Sequence, residues 1–156
     1  MKASCVGFYI LALSGCLAWP GPRVKDSFAV HGFHEDLRLG VLAVESIAVD
    51  KELDAEAVRA NAEAIVKLLL ARYSPEAQAD SAGEEARYAA RMTIKERSFQ
   101  KEYENFNSVT LEVEVRKEGY GEPSFIYAAS EDTKNTVSSY RYLFRILRRA
   151  FQAMYR

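Results

Sequence analysis

Cysteine is nearly absent from this chain. Cys5 and Cys16 are the two found in 156 residues, and with both so close to the N-terminus the remainder must fold without disulfides. Histidine is as scarce. His31 and His34 stand beside Glu35 and Asp36, residue types that ligate zinc, but no distant further ligand is offered, and no metal site is expected there. A membrane-spanning helix needs about 20 predominantly apolar residues. The uncharged stretch over residues 3–22 is broken by Gly7, Ser14, Gly15, Pro20 and Gly21, and its strongly apolar part covers only residues 6–13. No serine elbow and no phosphate-cradling glycine loop occurs. Carboxylates are plentiful but scattered, so no acid–base pair stands out, and a non-catalytic protein is expected. Acidic residues are also missing beyond Asp132. Residues 133–156 carry six basic side chains and no acid, whereas residues 16–132 hold fourteen basic against 22 acidic residues, a net of −8. Such asymmetry offers a basic face to an anionic partner, or back to the acidic body.

What the N-terminus does contain is Lys2, a short apolar core, and the small residues Ser14 and Gly15 before Cys16, the pattern of an export signal. The run Leu13-Ser14-Gly15-Cys16 resembles the lipobox of bacterial lipoproteins. That resemblance implies a diacylglyceryl group on the Cys16 thiol, cleavage just before it, and acylation of the new amine. The covalent lipid on Cys16 is then the only prosthetic group expected, with no other cofactor. Two or more acyl chains hold a protein stably on a bilayer without a spanning helix, which makes the membrane the first partner. Leu17, rather than Asp, follows the cysteine. By analogy with the best-studied sorting rule, this favours the outer membrane of the cell envelope. A plain cleaved signal and an uncleaved anchor are the rival readings.

The expected organisation is a signal peptide over residues 1–15, a lipidated tether over 16–32 and a single domain over 33–156. Trp19-Pro20-Gly21-Pro22 cannot form a regular helix, and Trp19 would sit near the headgroups, where Trp is common. The branched apolar run over residues 39–44 predicts a strand buried on both sides or central in a sheet. Residues 54–73 predict a helix, with Asp54 as N-cap and Val58, Ala62, Ile65, Val66, Leu69 and Tyr73 on one face. Two strands alternate cleanly, one burying Tyr88, Ala90, Met92 and Ile94, the other Val109, Leu111, Val113 and Val115. On their wet faces Arg91 and Lys95 can oppose Glu112 and Glu114. A turn over 119–123, a strand over 124–129 and a second helix over 133–155 follow. That helix sets Val137, Tyr140, Leu143, Phe144, Leu147, Ala150, Phe151 and Met154 against Arg141, Arg145, Arg149 and Arg156, with Arg148 at the border. The order β-α-β-β-β-α predicts an α+β two-layer sandwich: an about four-stranded, mostly antiparallel sheet with two helices on one face.

Over residues 37–155 this element order resembles the N-terminal domain of the TolB family and the penicillin-binding-protein activator lipoproteins. It is also similar to auxiliary lipoproteins of lipid transport systems. The resemblance implies an accessory role in the envelope and carries over no functional residue. Two groups of side chains are candidates for contact. Arg141, Arg145, Arg148 and Arg149 could fork onto carboxylate or phosphate, whether on an envelope protein, an anionic lipid or a glycolipid. Phe99, Tyr103 and Phe106, within residues 97–107, could grip a partner or lipid, unless the flanking strands run longer and the two Phe rings pack under the helices. The function expected is a lipid-anchored adaptor binding another envelope component. The alternatives are direct hand-over of a lipid or glycolipid, and a surface-exposed lipoprotein contacting a host. Nucleic acid is not expected, since an exported chain of net charge −1 lacks a basic footprint. Reversing Arg145 and Arg149 is expected to weaken partner binding and leave thermal stability unchanged.

Overall fold

The computed structural model describes residues 24–31, 40–51, 54–73 and 86–155. Five strands and two helices follow in the order β1 (Val24–His31), β2 (Gly40–Asp50), α1 (Ala55–Tyr73), β3 (Ala86–Lys101), β4 (Glu104–Lys117), β5 (Pro123–Lys134) and α2 (Ser139–Met154). The sheet order is β1-β5-β4-β3-β2. All neighbours are antiparallel except β2 and β3, which run parallel because α1 crosses between them. The two-layer α+β sandwich and the four strands read from the sequence are thus present, and the sheet carries a fifth.

The fifth strand corrects one expectation. Val24–His31 falls inside the segment assigned to the tether, yet it pairs antiparallel with β5, from Val24 opposite Glu131 to His31 opposite Phe125. Backbone pairing along the free edge of β5 satisfies donors and acceptors that would otherwise face water, and the side-chain pattern of residues 24–31 does not signal it. A second correction concerns β2. Its apolar run suggested a central strand, but β2 lies at the sheet edge and Ala43 and Glu45 are exposed. A register shift between Val44 and Ser46 leaves Glu45 as a bulge. The branched residues of β2 instead serve the helix that follows it: Leu42 is buried, and Val44, Ile47 and Val49 pack against the core beneath α1.

The core lies between the sheet and the two helices. The buried face of α1 is Val58, Ala62, Ile65, Val66 and Leu69, as the helical spacing predicts, and Tyr73 stacks on Tyr155 and tilts against Phe151. Asp54 precedes the helix in the left-handed region, at φ 59°, and its carbonyl accepts from the Val58 amide at 3.1 Å. On α2 the buried set is Tyr142, Leu143, Ile146, Leu147, Ala150, Phe151 and Met154. Tyr140 turns outward instead, 44% exposed. The opposite sheet face is wet, as alternation requires. It carries exposed ion pairs: Lys95 to Glu112 at 2.9 Å, Arg91 to Glu45 at 2.8 Å and Arg97 to Asp50 at 2.8 Å. Exposed pairs contribute at most about 1 kcal/mol each, whereas each large apolar side chain buried under the helices contributes about 1.5–3 kcal/mol. The helices, not the ion ladder, therefore hold the sheet in shape.

Two carboxylates interrupt the apolar interior. Glu96, Val109 and Glu131 form one row across β3, β4 and β5. Both acids are buried, at 3% and 2% exposure. The Tyr142 hydroxyl donates to Glu96 at 2.6 Å, and Lys51 reaches the other oxygen of Glu96 at 3.0 Å. Burial and that hydrogen bond push the Tyr142 hydroxyl well above the ordinary tyrosine range. Arg145 donates to Glu131 through Nε at 2.9 Å and through a second guanidinium nitrogen. Arg145 is thus committed to the fold, which corrects the expectation that it is interchangeable with Arg149. Removing it leaves Glu131 buried without its partner, which costs about 2–3 kcal/mol. Chemical denaturation should show a loss of that size for Arg145→Ala, and almost none for Arg149→Ala.

Candidate functional site

The directions of the strands gather several features at one end of the domain. There β2 ends at Asp50, β3 turns into β4 at residues 102 and 103, β5 ends at Lys134, and both helices begin. Of the two readings of segment 97–107, longer flanking strands is the one present. Strands β3 and β4 continue through it, and Phe99 stands directly opposite Phe106. The two rings stack with centroids 5.6 Å apart. They do not pack under the helices, because Phe99 continues the series of Arg91, Lys95 and Arg97 along β3, which sets both rings on the sheet face away from the helices; Phe99 is 36% exposed and Phe106 half-buried.

The turn itself is made by Glu102 and Tyr103, both in the left-handed region at φ 51° and 67°. A two-residue hairpin turn with two positive φ values matches the twist of the flanking strands, but it favours Asn-Gly or Asp-Gly. Two residues with side chains held there carry a conformational cost. What they provide is a fully projecting ring, since Tyr103 is 99% exposed. Tyr140, in the first turn of α2, belongs to the same end and stacks on Phe144 with centroids 6.4 Å apart. Charges close to the tip are largely paired. Lys134 meets Glu104 at 2.7 Å, and Arg97 grips both oxygens of Asp50 at 3.3 and 2.8 Å. The Arg97 guanidinium holds the Asp50 carboxyl below its usual range.

The basic candidates divide. Arg145 is taken up by Glu131, while Arg141, Arg148 and Arg149 are exposed and make no ion pair among the described residues. They follow helical spacing with Arg145, so the three open guanidinium groups occupy one side of α2. Cys16 and His34, with Glu35 and Asp36, lie outside the described residues. His31 ends β1, and among the described residues no group of three metal-ligating side chains converges.

Two depressions mark the surface of the described residues. One, of about 450 Å³, lies on the wet sheet face and is lined by Glu45, Arg87, Arg91, Glu114, Arg116 and Tyr120, among others. The other, of about 320 Å³, sits between β2 and α1 beside Ile47, Val66, Lys67 and Leu70. The first is crowded with charges of both signs that pair with each other, as Arg91 does with Glu45. Neither is an enclosed apolar chamber.

The fold and surface define a class: a two-layer α+β domain with one aromatic hairpin end and one basic helix side. No family model matches the chain, and no curated protein matches it. Its architecture is similar to that of a PelC dodecamer from Paraburkholderia phytofirmans, at 10% identity and a TM-score of 0.54 over 83% of this chain and 96% of that chain. A point variant of PelC from the same organism, also a dodecamer, gives 13% identity and a TM-score of 0.52 over 83% of this chain and 97% of that one. At such identities the likeness establishes the fold alone.

The strained turn makes a direct test. Replacing Glu102-Tyr103 with Asn-Gly should raise stability by about 1 kcal/mol, because the new residues adopt positive φ more readily. A higher denaturation midpoint with unchanged circular dichroism is the expected result.

Proposed function

We propose that this chain is a non-catalytic, lipid-anchored envelope protein whose domain binds another envelope component through the outer side of α2. The observation that carries this reading is the set of three exposed arginines, Arg141, Arg148 and Arg149, without an ion partner among the described residues. Exposed Arg forks suit carboxylates and phosphates, and the rest of the domain is net acidic, so the side of α2 is the place where an anionic surface is welcome. The two open depressions favour an adaptor over a carrier, since a carrier would enclose its apolar cargo. Anchoring on Cys16 would raise the local concentration of the domain near its partner.

Cys16→Ala should leave the fold intact and move the protein from the membrane fraction to the soluble one. Persistent membrane association of that variant at high salt would sink lipid as the main anchor. For the adaptor itself, in-cell crosslinking of the lipidated protein should yield one recurrent envelope protein. Arg141→Glu with Arg148→Glu and Arg149→Glu should remove that crosslink while the melting temperature stays nearly constant. Crosslinks joining only copies of this chain would replace the adaptor reading with self-assembly. A lipid or glycolipid co-purifying in fixed ratio would replace it with a carrier.

A further inference from the structure

We infer that the β3–β4 tip is the surface of the domain that contacts the bilayer, with Tyr103, Phe99 and Phe106 seated among the lipid headgroups. The inference rests on the anchoring reading above and deepens it by giving the domain an orientation. Three observations carry it.

The first is where the chain enters. Val24 opens β1 opposite Glu131, at the end of the domain where the hairpin projects. Seven residues separate Cys16 from Val24, and an extended chain covers at most ~28 Å over those eight steps. Going from Glu131 to Lys134, across to Phe106 and on to Tyr103 advances six residues along the sheet, or ~20 Å. The reach of the tether therefore exceeds the height of the tip above the entry point. An acylated Cys16 and the Tyr103 ring can occupy the same interface at once. The far turn with Tyr120 is farther off: Val109, opposite Glu131, stands eight residues from Lys117 at the end of β4, or ~26 Å before the turn begins, a span that only a fully extended tether matches.

The second observation is the chemistry of the tip. Tyrosine and tryptophan rings concentrate at membrane–water interfaces, with the apolar body in the acyl boundary and the polar end in the headgroups. Tyr103 projects fully, with the stacked Phe99 and Phe106 behind it. Such a patch has no other apolar cover among the described residues. The third is charge. The ion pairs of Lys134 with Glu104 and of Arg97 with Asp50 leave the tip without a strong net sign, so its contact does not depend on anionic lipid or on salt. The strain in the Glu102-Tyr103 turn is then explained as the cost of projecting an aromatic ring where Gly would leave none.

The test uses the full lipidated protein in phosphatidylcholine vesicles. Trp19→Phe removes the native indole. In that background, Tyr103→Trp and, separately, Tyr120→Trp place one fluorophore at each end of the domain. Phosphatidylcholine brominated on its acyl chains should quench the Tyr103→Trp emission about threefold more than the Tyr120→Trp emission, with a blue shift for the first alone. That difference should persist in high salt. Equal, weak quenching of both variants, in protein whose mass confirms acylation at Cys16, would overturn the orientation and leave the anchor standing. A mature mass without acyl chains would overturn both.

Discussion

The row of Glu96, Val109 and Glu131 is the constraint around which this domain is arranged. Apolar packing is non-directional and by itself specifies the position of α2 along the sheet less sharply than a polar contact does. A buried carboxylate requires such a contact. Leaving one without its hydrogen-bond partner is costly, so Glu96 and Glu131 accept α2 only where Tyr142 and Arg145 fall over them. These are i and i+3 on the helix, while the acids stand two strands apart, so together they fix both the height and the crossing of α2. Lys51, just beyond β2, ties the opposite side of the sheet into the same arrangement. Net stabilisation from such pairs is modest; their effect is to select one register among several.

Much of this was legible in the sequence. Alternation in β3 and β4, and helical spacing in α1, marked the buried faces correctly because each of those elements has one dry side and one wet side. Glu96 and Glu131 also announced themselves, had their phase been followed. Each continues the buried series of its strand, two residues beyond Ile94 and Ala129, and an acid in a buried phase requires a partner. Arg145, read as one member of a uniform stripe, was in fact that partner.

Other features had no local signal. The β1 strand is stabilised by pairing with a segment about a hundred residues away, which periodicity over eight residues does not reveal. The β3–β4 turn lacks the Asn-Gly or Asp-Gly that marks a tight hairpin, so the sequence leaves open whether the two strands run on to meet there, as they do. The edge position of β2 was hidden for a related reason. A parallel strand beneath a crossover helix is as apolar as a central one, although only one of its edges is paired.

The pairing of β1 with β5 has a mechanical consequence under the proposed anchoring. Tension between membrane and partner would enter the domain at Val24 and pass into the rest of the molecule through this one ladder. Because the pull runs along the strand axis, the backbone hydrogen bonds from Val24 to His31 would be strained in shear, sharing the force, instead of opening one after another like a zipper. A chain without a disulfide in its domain would in this way withstand traction at its attachment point, and the first strand would serve as a splice between the anchor and the body of the domain.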